Sequence, residues 1–258
     1  GWILQDSEIR WNHYAGVDTL SNSITRRNNI HHNGNSGLRG SGSGSLVENN
    51  EVSYNGVAGY DPYWGSGGSK WAFASNLTVR GNWSHHNLGP GFWTDINNSN
   101  IIYENNILED NERAGVFHEI SYSAIIRNNT IKRNGIACPT NITPCSVKAY
   151  PGWVSNGGIE ITSSSNVEVY GNTLVDNWQG IATLDDHRGT GNAGPWELKN
   201  LNVHDNTIIV TSHPGDGGGR SGIHDSVGVG GRALTLAYNN RFENNKYSVN
   251  VWELNRNG

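Results

Sequence analysis

One motif recurs along this chain and limits what it can fold into: Asn, any residue, usually an apolar one, two more residues, then usually Asn. It reads Asn28-x-Ile30-x-x-Asn33, Asn50-x-Val52-x-x-Asn55, Asn82-x-Ser84-x-x-Asn87, Asn106-x-Leu108-x-x-Asn111, Asn129-x-Ile131-x-x-Asn134 and Asn172-x-Leu174-x-x-Asn177. Weaker copies follow at Asn206-x-Ile208, where Thr211 replaces the second Asn, and at Asn240-x-Phe242-x-x-Asn245. Successive first Asn residues lie 22, 32, 24, 23, 43, 34 and 34 apart, so a base period of 22–24 is lengthened in places by inserted loops.

Self-similarity at this period, with short β-branched strands and Asn/Gly corners, is the signature of a solenoid. A leucine-rich repeat would show regular Leu and a helix-forming half, whereas Gly, Asn and Ser are scattered too densely here for helices. A propeller would need blades of roughly 40 residues and four strands. The pattern predicts a parallel β-helix occupying residues 1–258 as one domain, each coil made of three short strands. Coils then stack about 4.8 Å apart, and Asn at a fixed corner forms an internal ladder of side-chain amides.

Composition agrees and excludes some partners. A hydrophobic content of 34% suits a core that is a thin stack. A net charge of −5 without any basic run argues against nucleic acid, and no stretch is apolar for long enough to span a membrane. The chain opens at Gly1 and has no Met, from which we expect a signal peptide to have been removed. Cys138 and Cys145 bound the loop C-P-T-N-I-T-P-C, which a disulfide can close and which offers too few ligands for a metal. A disulfide there implies an oxidising compartment, hence a secreted, periplasmic or cell-surface protein.

Within the repeat, residues 91–121 say nearly the same thing twice. Gly91-Phe92-Trp93-Thr94-Asp95-Ile96 is answered 24 residues on by Gly115-Val116-Phe117-His118-Glu119-Ile120. The alternation has a period of two, that of half-buried strands. It turns Phe92, Thr94 and Ile96 inward, with Val116, His118 and Ile120 in the next copy, and leaves Trp93, Asp95, Phe117 and Glu119 outside. Asp95 and Glu119 then sit side by side on neighbouring coils, their Cα atoms about 5 Å apart. Two carboxylates so close repel, and one has its pKa raised; a raised acid beside an ionised base is what glycosidic cleavage uses. The competing reading is two solvated surface acids.

Trp93 and Phe117 share the outer face, where a sugar ring can bind aromatic faces; alternatively, neighbouring loops cover them as a second small core. Gly158-Ile159-Glu160 places Glu160 in their column as a third acid. Lys70 and Trp71 lie 12 and 11 residues before Asn82 and fall at the same height, so Lys70 either binds ligand or neutralises Asp95. The insertions, where a solenoid usually places specificity, cover residues 60–71 with Trp64 as a substrate contact, 135–157, 185–196 and 213–221. His31-His32 and His85-His86 resemble metal pairs, but the coil between carries Ser53-Tyr54, which favours solvated corner histidines. Asp185-Asp186-His187 offers carboxylates to Ca²⁺; otherwise no cofactor or metal site is expected.

The segments G-G-S-K-W, V-R-G-N-W-S-H-H-N-L-G-P-G-F-W-T-D-I-N-N and F-H-E-I-S-Y-S-A-I-I-R-N-N-T-I resemble the bacterial secreted right-handed parallel β-helix repeat proteins of the pectate-lyase-like superfamily. The resemblance implies an all-β fold, a single-stranded right-handed parallel β-helix with loop insertions, and a carbohydrate-active protein. The chain lacks the N-T-D, G-H-G and R-I-K segments of polygalacturonase-type hydrolases and the Arg-plus-Ca²⁺ cluster of pectate lyases. Tyr60-Asp61-Pro62-Tyr63 resembles alginate epimerases only as far as its Asp-Pro. The first expectation is therefore a glycoside hydrolase cleaving a polysaccharide on the outer face, with Asp95 and Glu119 catalytic and Lys70, Trp64, Trp93, Phe117, His118 and Glu160 shaping substrate subsites. The alternatives are a polysaccharide lyase or uronate epimerase with Lys70 or His118 as base, and a non-catalytic glycan-binding or surface structural module.

Overall fold

The computed structural model of the chain describes residues 1–135, 156–186, 188–211, 221–225 and 233–249. Among the described residues the backbone coils through three parallel sheets. Two have nine strands each, running from Ile3–Gln5 to Arg241–Glu243 and from Glu8–Arg10 to Lys246–Val249; the third has eight, from Ala15–Thr19 to Gly222–Asp225. Each strand pairs in parallel with its counterpart one coil later, which makes the molecule a parallel β-helix, right-handed as parallel crossovers are. The disulfide expected between Cys138 and Cys145 and the insertion around them lie outside the described residues.

The motif's two Asn positions build two separate ladders. One runs Asn28–Asn50–Asn82–Asn106–Asn129–Asn172–Asn206, each Nδ2–H donating to the next Oδ1 at 2.9–3.1 Å. The other runs Asn33–Asn55–Asn87–Asn111–Asn134–Asn177 at 2.9–3.0 Å. Every ladder oxygen after Asn28 also accepts the backbone N–H of the Asn one coil back, as Asn129 does from Asn106 at 2.9 Å, and Asn28 Oδ1 accepts that of Ser7. Corner amides that no strand ladder could serve are thereby satisfied inside the core. The last copy differs from the sequence register: Asn206 donates to Asn245, not Asn240, whose Oδ1 accepts the Leu201 N–H instead.

Inward stacks fill the space between the ladders, such as Ile30–Val52–Ser84–Leu108–Ile131–Leu174 in the second sheet, aliphatic but for Ser84. A column of glycines opens the third sheet's strands. At Gly91 an added Cβ would come 2.9 Å from Asn111 Nδ2, and at Gly115 3.1 Å from Asn134 Nδ2. The second ladder leaves no room there for a side chain, so glycine marks where each strand of this sheet begins. Two strands end earlier than the alternation suggests. Ile96 and Ile120, expected to face inward, follow the strands Phe92–Asp95 and Val116–Glu119 with φ of 64° and 35° and turn out beside the groove described next. Gly67–Trp71, read from sequence as inserted loop, is a strand of the third sheet.

Candidate active site

On the outside of the third sheet lies an open cleft of about 880 Å³, floored by strand residues and walled by the loop carrying Tyr60, Tyr63 and Trp64. Strands Phe92–Asp95 and Val116–Glu119 pair in register, Asp95 opposite Glu119 and Trp93 opposite Phe117. Lys70 sits one residue off the expected height: Trp71 pairs with Thr94, so Lys70 falls beside Trp93 while Trp71 points into the core. From there its Nζ reaches Asp95 Oδ2 at 2.8 Å, donates to the Trp64 carbonyl at 2.7 Å and lies 3.7 Å from the centre of the Trp93 ring.

Glu119 is bonded from the opposite side by Arg188 Nη1 at 2.8 Å. Burial and then the neighbouring Asp95 charge push the Glu119 carboxyl above its ordinary range, and Arg188 and Lys70 pull it back only in part. Two adjacent carboxylates thus stand in unlike settings, Asp95 charge-compensated by Lys70 and Glu119 biased toward its protonated form. That difference is what an acid and a nucleophile or base require of one pair.

The other sequence-derived residues separate. Trp64 is 80% exposed on the rim. Trp93 and Phe117 are 2% and 5% exposed and stack on each other at 5.2 Å. Lys70 covers the far face of Trp93, and the Arg113 guanidinium lies 5.8 Å from the centre of the Phe117 ring and 4.0 Å from that of Tyr63. The two rings are a second small core under the cleft, so the sugar-stacking role expected for their faces is corrected: those faces are occupied. His118, expected to shape a subsite or act as base, is corrected too. It is fully buried in the main core, its Nδ1 bonded to Thr94 Oγ1 and its Nε2 to the Tyr122 carbonyl, both at 2.7 Å. Burial holds its pKa down at about 4, leaving a neutral ring that braces two coils.

Glu160 pairs with Phe117 in the expected column but is 5% exposed and does not line the cleft. Burial raises its pKa to about 7, with the Glu119 charge adding to the rise and Arg113 and the Asn156 N–H opposing it. A carboxyl with a higher pKa folded than unfolded takes up a proton on folding between the two values, so its contribution to stability is full below about 4.5 and is lost as pH rises toward 7. Glu160→Gln should therefore flatten the stability profile across that window, gaining about 3 kcal/mol on wild type at the alkaline end. Chemical denaturation of both proteins from pH 4.5 to 8 measures the difference, and parallel profiles would refute it.

Asp185, offered above for Ca²⁺, is buried and accepts the Leu198 N–H, while Asp186 bonds Ser163; His187 lies outside the described residues. Among the described residues no group of three or more His, Cys, Asp and Glu is placed to hold a metal ion. Nor is any described helix long and apolar enough to cross a membrane. The corner histidines do join a stack, through the tyrosine between them: His32 on Tyr54 at 5.3 Å and Tyr54 on His86 at 5.0 Å.

Sequence reasoning missed Arg39, Arg113, Tyr122 and Arg188. Arg39 was within reach: two residues after each column glycine stand Asp18, Arg39, Lys70, Trp93, Phe117 and Glu160, one outward file along the sheet. Arg188 carries no such signal, because it comes from an insertion with no period.

Comparisons with known proteins agree on the fold. The family described as right handed beta helix region matches residues 1–151. No curated protein sequence matches the chain. Among solved structures, the A-module of the mannuronan C-5 epimerase AlgE4 of Azotobacter vinelandii is similar over 96% of this chain, at 14% identity and a TM-score of 0.51. The chain spans 57% of the length of that module. The enzymatically active domain of tailspike protein 2 of bacteriophage CBA120 matches 86% of this chain and 32% of its own, at 14% identity and a TM-score of 0.48.

Proposed function

The chain belongs to the right-handed β-helix family, and on that frame we propose a carbohydrate-active enzyme that hydrolyses a polysaccharide laid along the third sheet. One observation carries the reading: Asp95 and Glu119 stand in register on neighbouring strands at the floor of the cleft, each facing a cation at 2.8 Å, and burial with the Asp95 charge pushes the Glu119 carboxyl up. Glu119 protonates the glycosidic oxygen as the leaving sugar departs, and Asp95 attacks the anomeric carbon to form a glycosyl-enzyme. Glu119, now ionised, then takes a proton from water as that water releases the sugar from Asp95. The similar module from Azotobacter is named for a reaction on mannuronan, a polysaccharide, which supports the substrate class. The predicted disulfide supports a secreted, periplasmic or cell-surface setting.

A second reading, elimination or epimerisation at a uronate, has one observation in its favour: Arg39, Lys70 and Arg188 line the same cleft and would neutralise a sugar carboxylate. Against it, His118 is inside the core and Lys70 is tied to Asp95, so neither base expected for that chemistry is free. Digestion of a panel of dextran, xylan, polygalacturonate and polymannuronate separates the readings. Hydrolysis releases reducing ends without unsaturated-uronate absorbance; absorbance, or a changed uronate composition without new ends, overturns it.

Stereochemistry is a further expectation. Residues paired on neighbouring strands have Cα atoms about 4.8 Å apart, near the carboxyl separation of roughly 5–5.5 Å that retaining enzymes use and short of the distance that admits a water between acid and sugar. The first-formed product should keep its anomeric configuration. Proton NMR of the product before mutarotation reads this directly, and an inverted anomer would remove Asp95 as nucleophile.

A further inference from the structure

Corners of a β-helix that need a left-handed residue are best filled by Asn, Asp or Gly, because larger side chains crowd their own backbone there. Two corners of this chain hold to that over four successive coils. One has Asn49, Gly81, Asn105 and Asn128, the other Asn22, Gly44, Asn76 and Asn100, all with φ between 52° and 73°. A third corner carries His32, Tyr54 and His86, whose rings cover one another.

The corner after the third sheet breaks the rule with apolar side chains. Phe73, Ile96 and Ile120 have φ of 59°, 64° and 35°. Among the described residues Ile96 and Ile120 are the only β-branched ones in the left-handed region, where branching is most costly. Counting on from the strand pairs, the three hold one position in successive coils, and the Phe73 N–H donates to the Ile96 carbonyl at 2.8 Å. Ile96 directly follows Asp95, and Ile120 directly follows Glu119. The same position is Gly42 one coil earlier and Ser163 one coil later, so the apolar run is confined to the coils of Lys70, Asp95 and Glu119. All three side chains line the cleft. Phe73 is 57% exposed, so its strained corner is not explained by packing in a core.

We propose that Phe73, Ile96 and Ile120 form a wall that reads a methyl group on the bound sugar, so that the substrate is a glycan carrying O-acetyl, methyl ester or 6-deoxy carbons. The inference rests on the cleft being the glycan site of the reading above, not on the bond cleaved there. A sugar lying over Lys70, Asp95 and Glu119 meets this wall with its edge, where the ring substituents stand. A hydroxyl pressed against these side chains loses water without gaining a hydrogen bond. A methyl in the same place buries apolar surface and leaves nothing unpaired. Hydroxyls are served from the other ends of the strands, where Tyr60, Tyr63 and Asn35 line the cleft. Asn35 Oδ1 is buried there without a hydrogen-bond partner, an acceptor for a sugar hydroxyl.

Affinity measured in the Glu119→Gln background, which leaves the polymer intact, tests the wall apart from turnover. Dissociation constants are compared for acetylated and deacetylated xylan and for methyl-esterified and de-esterified polygalacturonate. L-fucose and L-galactose, which differ by one hydroxyl, are compared as competitors for the bound polymer. At least one methyl-bearing member should bind about tenfold more tightly than its counterpart, and the pair that responds names the source of the methyl. Charge would not produce a preference for the ester, since Arg39, Lys70 and Arg188 line the cleft and favour the free acid. Phe73→Asn and Ile96→Asn should each cut the preference to about twofold. Because Asn suits a φ of 59°, Phe73→Asn should also raise the thermal unfolding midpoint. A lowered midpoint would assign that side chain to the fold and overturn its place in the wall. Preference in no pair, or preference unchanged in both folded variants, overturns the inference. A preference without any cleavage by wild type leaves the wall standing and ends the hydrolase reading. Binding to none of these sugars overturns the glycan site, and this inference with it.

Discussion

Glu119→Gln should lower turnover on a cleaved polysaccharide about a thousandfold or more, and Asp95→Asn by a similar factor, with the fold unchanged in both. Each substitution is nearly isosteric: Asp95→Asn removes the nucleophile's charge, which Lys70 faces at 2.8 Å, and Glu119→Gln removes the proton to be donated while leaving a polar group beside Arg188. The two changes combined should cost little more than the worse one alone, since groups that act on one transition state are not additive. The pH profile adds an independent check. Asp95 raises the Glu119 pKa, and Lys70 lowers it. Removing the negative charge in Asp95→Asn should move the alkaline limb of the residual activity to lower pH, while Lys70→Met should move it to higher pH. Opposite displacements from two neighbours of one carboxyl are hard to obtain unless that carboxyl is the proton donor. Equal activity of Glu119→Gln and wild type would end the hydrolase reading.

Asn106→Ala should be the most damaging single change to the fold, at about 3–5 kcal/mol of unfolding free energy. Its Oδ1 accepts the backbone N–H of Asn82 at 3.0 Å and the Asn82 Nδ2–H at 3.1 Å; its Nδ2 donates to the Val79 carbonyl at 2.9 Å and to Asn129 Oδ1 at 3.0 Å. Alanine keeps none of these. The Asn129 oxygen still accepts the N–H of residue 106 and the Asn82 amide still reaches the Val47 carbonyl, but the Asn82 N–H is left buried without an acceptor. A buried orphan of that kind costs about 1–3 kcal/mol beyond the lost bonds, and water has no route to it in a corner so closely filled. Ile107→Thr, one residue away on the exposed side of its strand, is the control and should stay within about 0.5 kcal/mol. Equilibrium denaturation of both variants decides it: a ladder substitution as mild as the control would mean the amide stack guides register without stabilising the coils.

Asn106 and its equivalents explain why so much of the architecture was legible. One Asn per coil, bonded to the next along the axis, locks the register between coils, and any two residues at equal distance from their glycine and ladder Asn must become neighbours. The pairing of Asp95 with Glu119, of Trp93 with Phe117 and of Phe117 with Glu160 follows from counting forward from the column glycines, whereas counting back from the next ladder Asn would set Asp95 against His118. Counting erred where the distance from corner to strand changes: Trp71 pairs with Thr94 rather than Asp95, and Asn245 takes the place in the ladder read for Asn240.

The amino-acid sequence by itself determined the coil, an amide ladder at its corner and most of the residues that stand side by side, because these repeat and hydrogen bonding along the axis carries one coil's register to the next. Only the tertiary structure decided what covers each outward residue. Trp93 and Phe117 read as exposed platforms until Lys70, Arg113 and Tyr63 close over them, and Glu119 reads as a free carboxylate until Arg188 arrives from 69 residues away. Those contacts are made by insertions whose length and composition follow no period, so no neighbouring coil records where they land.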